Sequence, residues 1–283
     1  MSEKKRNEIF GGQAAAAGVI PQSNVMKDDF DWDIPVETVP IPSEGKVYDV
    51  NSPLYGKQTL DIKAMTAQEE DILSSRALIK KGTVITHLLQ SCITEPGISV
   101  QDMLVGDRNA LMVAVRITGC GADYSAEVTC PECNARNRER FNLGDLPIKR
   151  LQIDPIQQGQ NIFSFTLPVT KKEVHFKFLT GRDEEEMSLI AERKKAALPE
   201  MQGENLVTSR LARAIVSVDG ITDKNKINLF VNKMPAQDSR KLRAFMDANE
   251  PGVDMVGWLT CASCGESSEV GLPLGASFFW PRD

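Results

Sequence analysis

The chain has 283 residues and a formal net charge of −6, and 41% of its residues are hydrophobic and 25% charged. This composition is typical of a soluble globular protein of about two domains, and no apolar run approaches the ~18 residues of a membrane span. The acidic balance argues against broad electrostatic binding to nucleic acid. Six cysteines are too few for a disulfide scaffold in a chain of this length. The chain has only two histidines, and this scarcity weakens any catalytic interpretation.

The first 38 residues are expected to form a flexible N-terminal arm. Its segment KDDFDWDIPVE (residues 27–37) carries five acidic side chains around Phe30 and Trp32. One interpretation is a solvated acidic linker. The other is an extended arm whose Phe30 and Trp32 bind a partner, because large aromatic side chains gain most when they are buried.

Residues 39–150 are expected to form a first lobe. Alternation around Thr59–Ile62 indicates a strand, and Thr66 with Glu69 forms a capping box that predicts a helix from Ala67 to Lys80. Two further helices are predicted over 84–93 and 108–118, the latter with Asp107 as its N-cap. Strands over 124–129 and 138–143 then flank a tight C-P-E-C turn.

Residues 151–283 are expected to form a second lobe that repeats this order. After residues 158–167, the alternation of Val174, Phe176 and Phe178 indicates a strand, and helices are predicted from Thr180 to Lys195 and over 205–218. A further helical stretch over 226–249 is expected to break near Pro235. Strands over 255–260 and 269–274 flank a C-A-S-C turn.

The two lobes align with each other in a fixed order. KQTLDIKAMTAQEED corresponds to KEVHFKFLTGRDEEE, and AEVTCPECNARNRERFNL corresponds to GWLTCASCGESSEVGLPL. Coincidence between two ordinary strand–helix–hairpin segments is the alternative, but the repeated order favours internal duplication. The sequence therefore predicts an α+β protein of two related lobes.

Each lobe carries one C-x-x-C motif at a hairpin tip, which is the geometry of a zinc knuckle. Zinc prefers four ligands at tetrahedral corners, and each knuckle supplies two. Cys130, Cys133, Cys261 and Cys264 are therefore predicted to bind one Zn²⁺ per chain, which joins the lobes in a zinc-ribbon-like Cys₄ module. A closed Cys₄ set has no open position, so this zinc is expected to be structural.

Other uses of these cysteines remain open. A thiol-redox pair usually lies at a helix N-terminus, whereas both motifs lie between strands. Two separate disulfides, or plain buried cysteines, are further alternatives. Cys92 and Cys120 lie near the ends of apolar helices and are expected to be small core residues.

No catalytic signature is evident, so the chain is expected to be neither an enzyme nor a binder of a small-molecule substrate. Arg136, Arg138 and Arg140 make the first hairpin basic, whereas Glu266 and Glu269 make the second acidic. This contrast favours a polar protein–protein surface. A zinc-ribbon nucleic-acid-binding protein is the alternative.

Three large aromatic residues, Phe278, Phe279 and Trp280, lie near the C-terminus. They are either a plug on the hydrophobic core or part of an interface. The second interpretation makes them candidate partner-binding residues.

The segment ISVQDMLVGDRNALMVAVRITGCGADYSAEVTCPECNARN resembles the T4-like bacteriophage baseplate proteins, the hub-subunit and hub-assembly group of contractile-tailed phages. The D-R-N-A-L-M-V-A-V-R-I helix, the strand after Gly121 and the C-P-E-C knuckle carry the resemblance, which covers residues 59–143 well. It implies a structural or assembly protein of the tail baseplate or its central hub. Its expected partners are other tail proteins, and its expected locations are the virion and, during assembly, the host cytoplasm.

Overall fold

Residues 34–197, 206–274 and 276–279 are described by the computed structural model, and they adopt the α+β fold that the sequence predicts. Phe30, Trp32 and Trp280 lie outside these residues, so their expected roles stay predictions. Within the described ranges, no helix is both long and apolar enough to cross a membrane. The helices are α1 (Ala67–Ser74), α2 (Arg76–Lys81), α3 (Val84–Cys92), α4 (Val105–Cys120), α5 (Gly181–Ala197), α6 (Leu206–Ala214), α7 (Lys224–Lys233) and α8 (Ala236–Asn249).

The strands form small antiparallel sheets rather than one large sheet. β1 pairs with β2, β3 with β4, β5 with β9 and β10 with β11, while β6, β7 and β8 form a three-stranded sheet. Their bounds are β1 (Val36–Pro40), β2 (Thr59–Lys63), β3 (Asp123–Thr129), β4 (Arg136–Asn142), β5 (Ile148–Lys149), β6 (Phe163–Thr166), β7 (Glu173–Phe176), β8 (Ile215–Val218), β9 (Gly252–Val253), β10 (Val256–Thr260) and β11 (Ser267–Gly271).

The capping box at the start of α1 is present as predicted. The Glu69 carboxylate accepts hydrogen bonds from the Thr66 backbone N–H, at 2.9 Å, and from its hydroxyl. The helix predicted from Ala67 to Lys80 is nevertheless two helices, because Ser75 is in an extended conformation between α1 and α2. β1 begins at Val36, inside the segment expected to form the arm, while residues 1–33 are not described and the arm stays a prediction.

Helix α4 is the central helix of the fold and is longer than predicted. Leu104, not Asp107, is its N-cap residue. Asp107 is buried in the first turn, where its carboxylate accepts hydrogen bonds from the Ser43 N–H (2.9 Å), the Ser43 hydroxyl (2.6 Å) and the Tyr48 hydroxyl. Burial raises the pKa of Asp107 despite these bonds. The carboxylate therefore ties the turn-rich segment after β1 to α4.

The two halves of the chain pack directly against each other around α4. A Cβ built on Gly106 would lie 1.7 Å from the Pro251 carbonyl oxygen, so only glycine allows this approach of α4 to β9. The pairing of β5 with β9 adds a second link between the halves. One contiguous hydrophobic core includes side chains from both of them.

The second half departs from the sequence prediction in one element. The helix predicted over 205–218 includes α6 but ends at Ala214, and Ile215–Val218 forms β8, which pairs with β7. β-Branched residues fit a pleated strand, and pairing with β7 satisfies the backbone groups of this segment. The predicted break near Pro235 is confirmed, because α7 ends at Lys233 and α8 begins at Ala236.

Candidate metal centre

Two β-hairpins from the two halves of the chain pack face to face. In the first hairpin, alternate side chains such as Tyr124, Val128 and Phe141 are buried, and in the second hairpin Leu259 is buried. A Cβ built on Gly257 would lie 2.5 Å from the Phe141 ring, so the hairpins approach closely at this glycine. This packing brings the tips of both hairpins to the same place.

The two tips have the same backbone geometry. In the first turn, the Cys130 N–H donates to the Ala135 carbonyl and the Asn134 N–H donates to the Cys130 carbonyl, both at 2.9 Å. Cys261 and Gly265 make the corresponding bonds in the second turn, at 2.9 and 2.8 Å. Asn134 and Gly265 both have a positive φ, 57° and 74°, as this tight turn requires.

The structure brings together the four cysteines that the sequence singled out. Their sulfur atoms all lie within 4.8 Å of one another. The Cys130 and Cys264 sulfurs are 3.9 Å apart, and the Cys133 and Cys261 sulfurs are 3.6 Å apart. A tetrahedron of sulfurs around a metal at a bond length of about 2.3 Å has edges of about 3.8 Å. The donor set therefore fits one four-coordinate metal ion bound by both hairpins.

The charges of the thiols also suit a bound cation. The N–H groups of Cys264 and Ser263, together with Asn137, lower the pKa of Cys261 to about 6, so one thiolate is stabilised by the protein itself. The Glu266 N–H lowers the pKa of Cys264, but burial and the neighbouring sulfurs outweigh it and raise that pKa to about 12. Four thiolates this close would repel one another, and a divalent cation bound between them offsets much of that repulsion.

Asn137 is a residue of the site that the sequence reasoning missed. It is buried on β4, and its side-chain N–H lies 3.5 Å from the Cys261 sulfur while its carbonyl oxygen accepts from the Ala262 N–H at 3.1 Å. Asn137 thus bridges the two hairpins. The available sequence signal was a polar residue at an inward-facing position of a strand, between Arg136 and Arg138.

The other two cysteines lie apart from this cluster of sulfurs. Cys92 is buried at the end of α3, and burial, with a smaller contribution from the Glu69 charge, raises its pKa to about 11. Cys120 ends α4, and its sulfur lies 3.7 Å from the Phe279 carbonyl oxygen. Cys92 is therefore the small core residue that the sequence predicts, whereas Cys120 is only partly buried.

The C-terminal aromatic residues that the structure describes are part of the core. Phe278 and Phe279 have exposed fractions of 0% and 1%, so their side chains pack in the hydrophobic core. This corrects the interpretation of these two residues as an exposed partner-binding surface. The Phe278 ring makes an edge contact with Tyr124 of the first hairpin at a centroid distance of 5.0 Å. Apolar burial explains this placement, since each ring removes a large area from water.

The Arg116 side chain fixes the same segment. It is buried in α4, and its guanidinium donates to the carbonyl oxygens of Phe278 (2.9 Å), Gly121 (2.6 Å) and Asp123 (3.0 Å). These bonds join the end of α4, the start of β3 and the C-terminal segment. The sequence signal for this role was a single charge in the otherwise apolar stretch LMVAVRI of this helix.

Comparison with known proteins gives one family. A family model described as T4 bacteriophage base plate protein matches residues 42–280, which is most of the chain. No curated protein matches the chain, and no solved structure matches it.

Proposed function

The chain belongs to the T4 bacteriophage base plate protein family, and from this membership we propose that it acts at the baseplate or its central hub as a rigid, non-enzymatic building block that binds neighbouring tail proteins. The observation that carries the proposal is the closed cluster of four sulfurs between the two halves of the chain. Such a site offers no open coordination position for catalysis.

One structural Zn²⁺ shared by Cys130, Cys133, Cys261 and Cys264 is the cofactor we propose. A set of four thiolates in tetrahedral arrangement selects zinc among the common divalent metals of structural sites. Binding at such a site is itself folding free energy, because the unfolded chain does not hold the ligands together. The metal then stabilises both halves of the molecule at once.

We also propose that the two halves, 39–150 and 151–283, arose by duplication. A buried carboxylate in the first turn of a helix pairs with a lysine of the preceding segment in each half: Lys63 with Glu69 at 2.9 Å, and Lys177 with Asp183 at 2.7 Å. Both pairs share one constant sequence offset. Two unrelated segments have no reason to repeat this contact at the same spacing.

A second correspondence supports the duplication. Ile62 of β2 makes an antiparallel bridge with Ile93, directly after α3, and Phe176 of β7 pairs with Ile215, directly after α6. In each half, the second strand of an antiparallel pair therefore also pairs with a segment that directly follows a later helix. The equivalent turns at the two cysteine motifs complete the series.

Partner contacts are expected from exposed aromatic side chains. Trp258 lies on the outer face of β10 with 68% of its surface exposed, and tryptophan is enriched among residues that dominate interface energies. Phe30, Trp32 and Trp280 remain candidates for the same role. We propose the virion baseplate as the site of these contacts, with the host cytoplasm as the place of assembly.

Deleting the coding sequence from the phage that carries it tests the function. We expect electron micrographs to show defective or missing baseplates, and complementation with the intact chain to restore them. Complementation with Trp258→Ala should be weaker if Trp258 binds a neighbour, whereas Tyr55→Ala, also at an exposed aromatic residue, serves as the control. Normal tails without the chain contradict a baseplate role. Salt-sensitive binding of short DNA or RNA by the purified chain instead favours the nucleic-acid alternative.

A further inference from the structure

The outer face of the first hairpin carries a row of positive charges that the sulfur cluster does not use. Arg136, Arg138 and Arg140 alternate along β4 and are all exposed, whereas Asn137 and Phe141 on the opposite face are buried. We call these three residues the arginine row. Side chains two apart on a strand point to the same side, so the row forms a continuous basic strip.

The row lies on an open sheet edge. Among the described residues, β4 pairs only with β3. Glu127 of β3 faces Arg138 and forms an ion pair with Arg136 at 3.3 Å, while Ser125 faces Arg140, so the row keeps more positive charges than β3 has carboxylates facing it. An open edge can pair with another extended segment, and proteins usually cover or charge such edges.

The chain contains a segment whose pattern is the complement of this row. In residues 29–33, with sequence DFDWD, three aspartates alternate with Phe30 and Trp32. In an extended conformation the aspartates share one face and the aromatic residues the other. Their spacing of two residues equals that of the arginine row, so each aspartate can face one arginine of the row.

We propose that residues 29–33 of a second copy of this chain bind along the open edge of β4, with the aspartates beside the arginine row and the aromatic side chains on the buried side of the hairpin. A second copy is favoured because the residues that directly follow this segment pair with β2, which is not in the same sheet as β4. The Pro35 carbonyl accepts from the Ala64 N–H at 2.8 Å, and Val36 pairs with Lys63 of β2. This inference rests on charge and register, and it stands whether or not the sulfur cluster binds zinc.

Charge exchange between full-length chains tests the proposal. One variant carries Arg136→Glu, Arg138→Glu and Arg140→Glu, and the other carries Asp29→Lys, Asp31→Lys and Asp33→Lys. We expect each variant alone to self-associate about tenfold or more weakly than the unaltered chain in sedimentation velocity experiments, because like charges then face each other. Mixing the two variants should restore association, because the two arms then face rows of opposite charge.

A matched control separates this specific effect from a change in net charge. The variant Lys224→Glu, Lys226→Glu and Lys233→Glu makes the same change in charge on exposed positions of α7, and it should associate like the unaltered chain. An unaltered chain that stays monomeric at every concentration overturns the proposal, as does a mixture that does not associate. Arginine-dependent binding of a labelled oligonucleotide without self-association overturns it in favour of nucleic acid.

Discussion

The side-chain amide of Asn137 lies 3.5 Å from the Cys261 sulfur, although the two residues belong to different hairpins and to different halves of the chain. The same side chain accepts from the Ala262 N–H at 3.1 Å. A hydrogen bond to a thiolate orients it and stabilises its charge. Asn137 is thus the outer contact that sets the position of one hairpin tip against the other.

Replacing Asn137 should weaken metal binding without changing its stoichiometry. We expect Asn137→Ala to lower zinc affinity about 10- to 100-fold, because residues that orient metal ligands have effects of this size. Competition with a chromogenic chelator measures the affinity. Asn142→Ala, on the same strand but exposed, is the control and should bind zinc as the unaltered chain does. Equal affinities for both variants contradict the positioning role.

Loss of one cysteine should abolish the whole site. We expect the unaltered chain to carry one zinc in native mass spectrometry and Cys261→Ser to carry none, because each hairpin alone offers only two ligands. The variant should also unfold at a lower temperature, since metal binding contributes to folding free energy. Cys120→Ala, which removes a sulfur outside the cluster, should keep one zinc. Two metal ions per chain, or none in the unaltered chain, contradict a shared site.

The contact between Gly106 and Pro251 predicts a reversal of the usual effect of alanine in a helix. Alanine normally stabilises a helix by about 1 kcal/mol relative to glycine. At Gly106, a Cβ would lie 1.7 Å from the Pro251 carbonyl oxygen, so α4 must move away from β9. We expect Gly106→Ala to lower the free energy of unfolding by about 1–3 kcal/mol in urea titrations. Gly271→Ala, where no atom lies within 4 Å, should change it little.

Removal of the Arg116 guanidinium should destabilise the chain and release its C-terminal segment. Three carbonyl oxygens lose their donor in Arg116→Met, and only the bond to the Phe278 carbonyl is buried; a buried polar group left without a partner costs about 1–3 kcal/mol. We expect the free energy of unfolding to fall by about 1–3 kcal/mol, with faster hydrogen exchange around Phe278. Arg193→Ala, at an exposed position of α5, should change it by less than about 0.5 kcal/mol.

The capping box should make stability depend on pH in the acid range. Burial opposes ionisation of Glu69, but hydrogen bonds from Thr66 and the charge of Lys63 lower its pKa from 4.5 to about 2. A carboxylate with a lowered pKa stabilises the fold above 4.5, and this contribution is lost as the pH falls towards 2. Glu69→Gln should therefore be less stable at neutral pH and lose less stability on acidification.

Urea titrations at several pH values measure this difference. Glu70→Gln, at the exposed neighbouring position of the same helical turn, is the control and should follow the unaltered chain. The same acid dependence in Glu69→Gln and the unaltered chain contradicts the role of Glu69.

Local signals in the sequence identified most helices and both hairpins. The capping box located the start of α1, Pro235 located the break between α7 and α8, and the C-x-x-C motifs located both turns. These signals depend on neighbouring residues only, so one sequence is enough to detect them. The prediction failed where contacts with distant residues decide the secondary structure. Ile215–Val218 was predicted to be helical but forms a strand, because it pairs with β7.

The sequence by itself determined the α+β class and the four cysteines of the candidate site, because periodicity and spacing carry this information, and the residues of the segment 98–137 carried the resemblance to baseplate proteins. Only the tertiary structure decided that the sulfurs converge within 4.8 Å, that Asn137 bridges the hairpins and that Phe278 is core. These outcomes depend on contacts between residues more than 100 positions apart along the chain. Such contacts form only when apolar surfaces of both halves are buried in one core, and no local pattern records which surfaces meet.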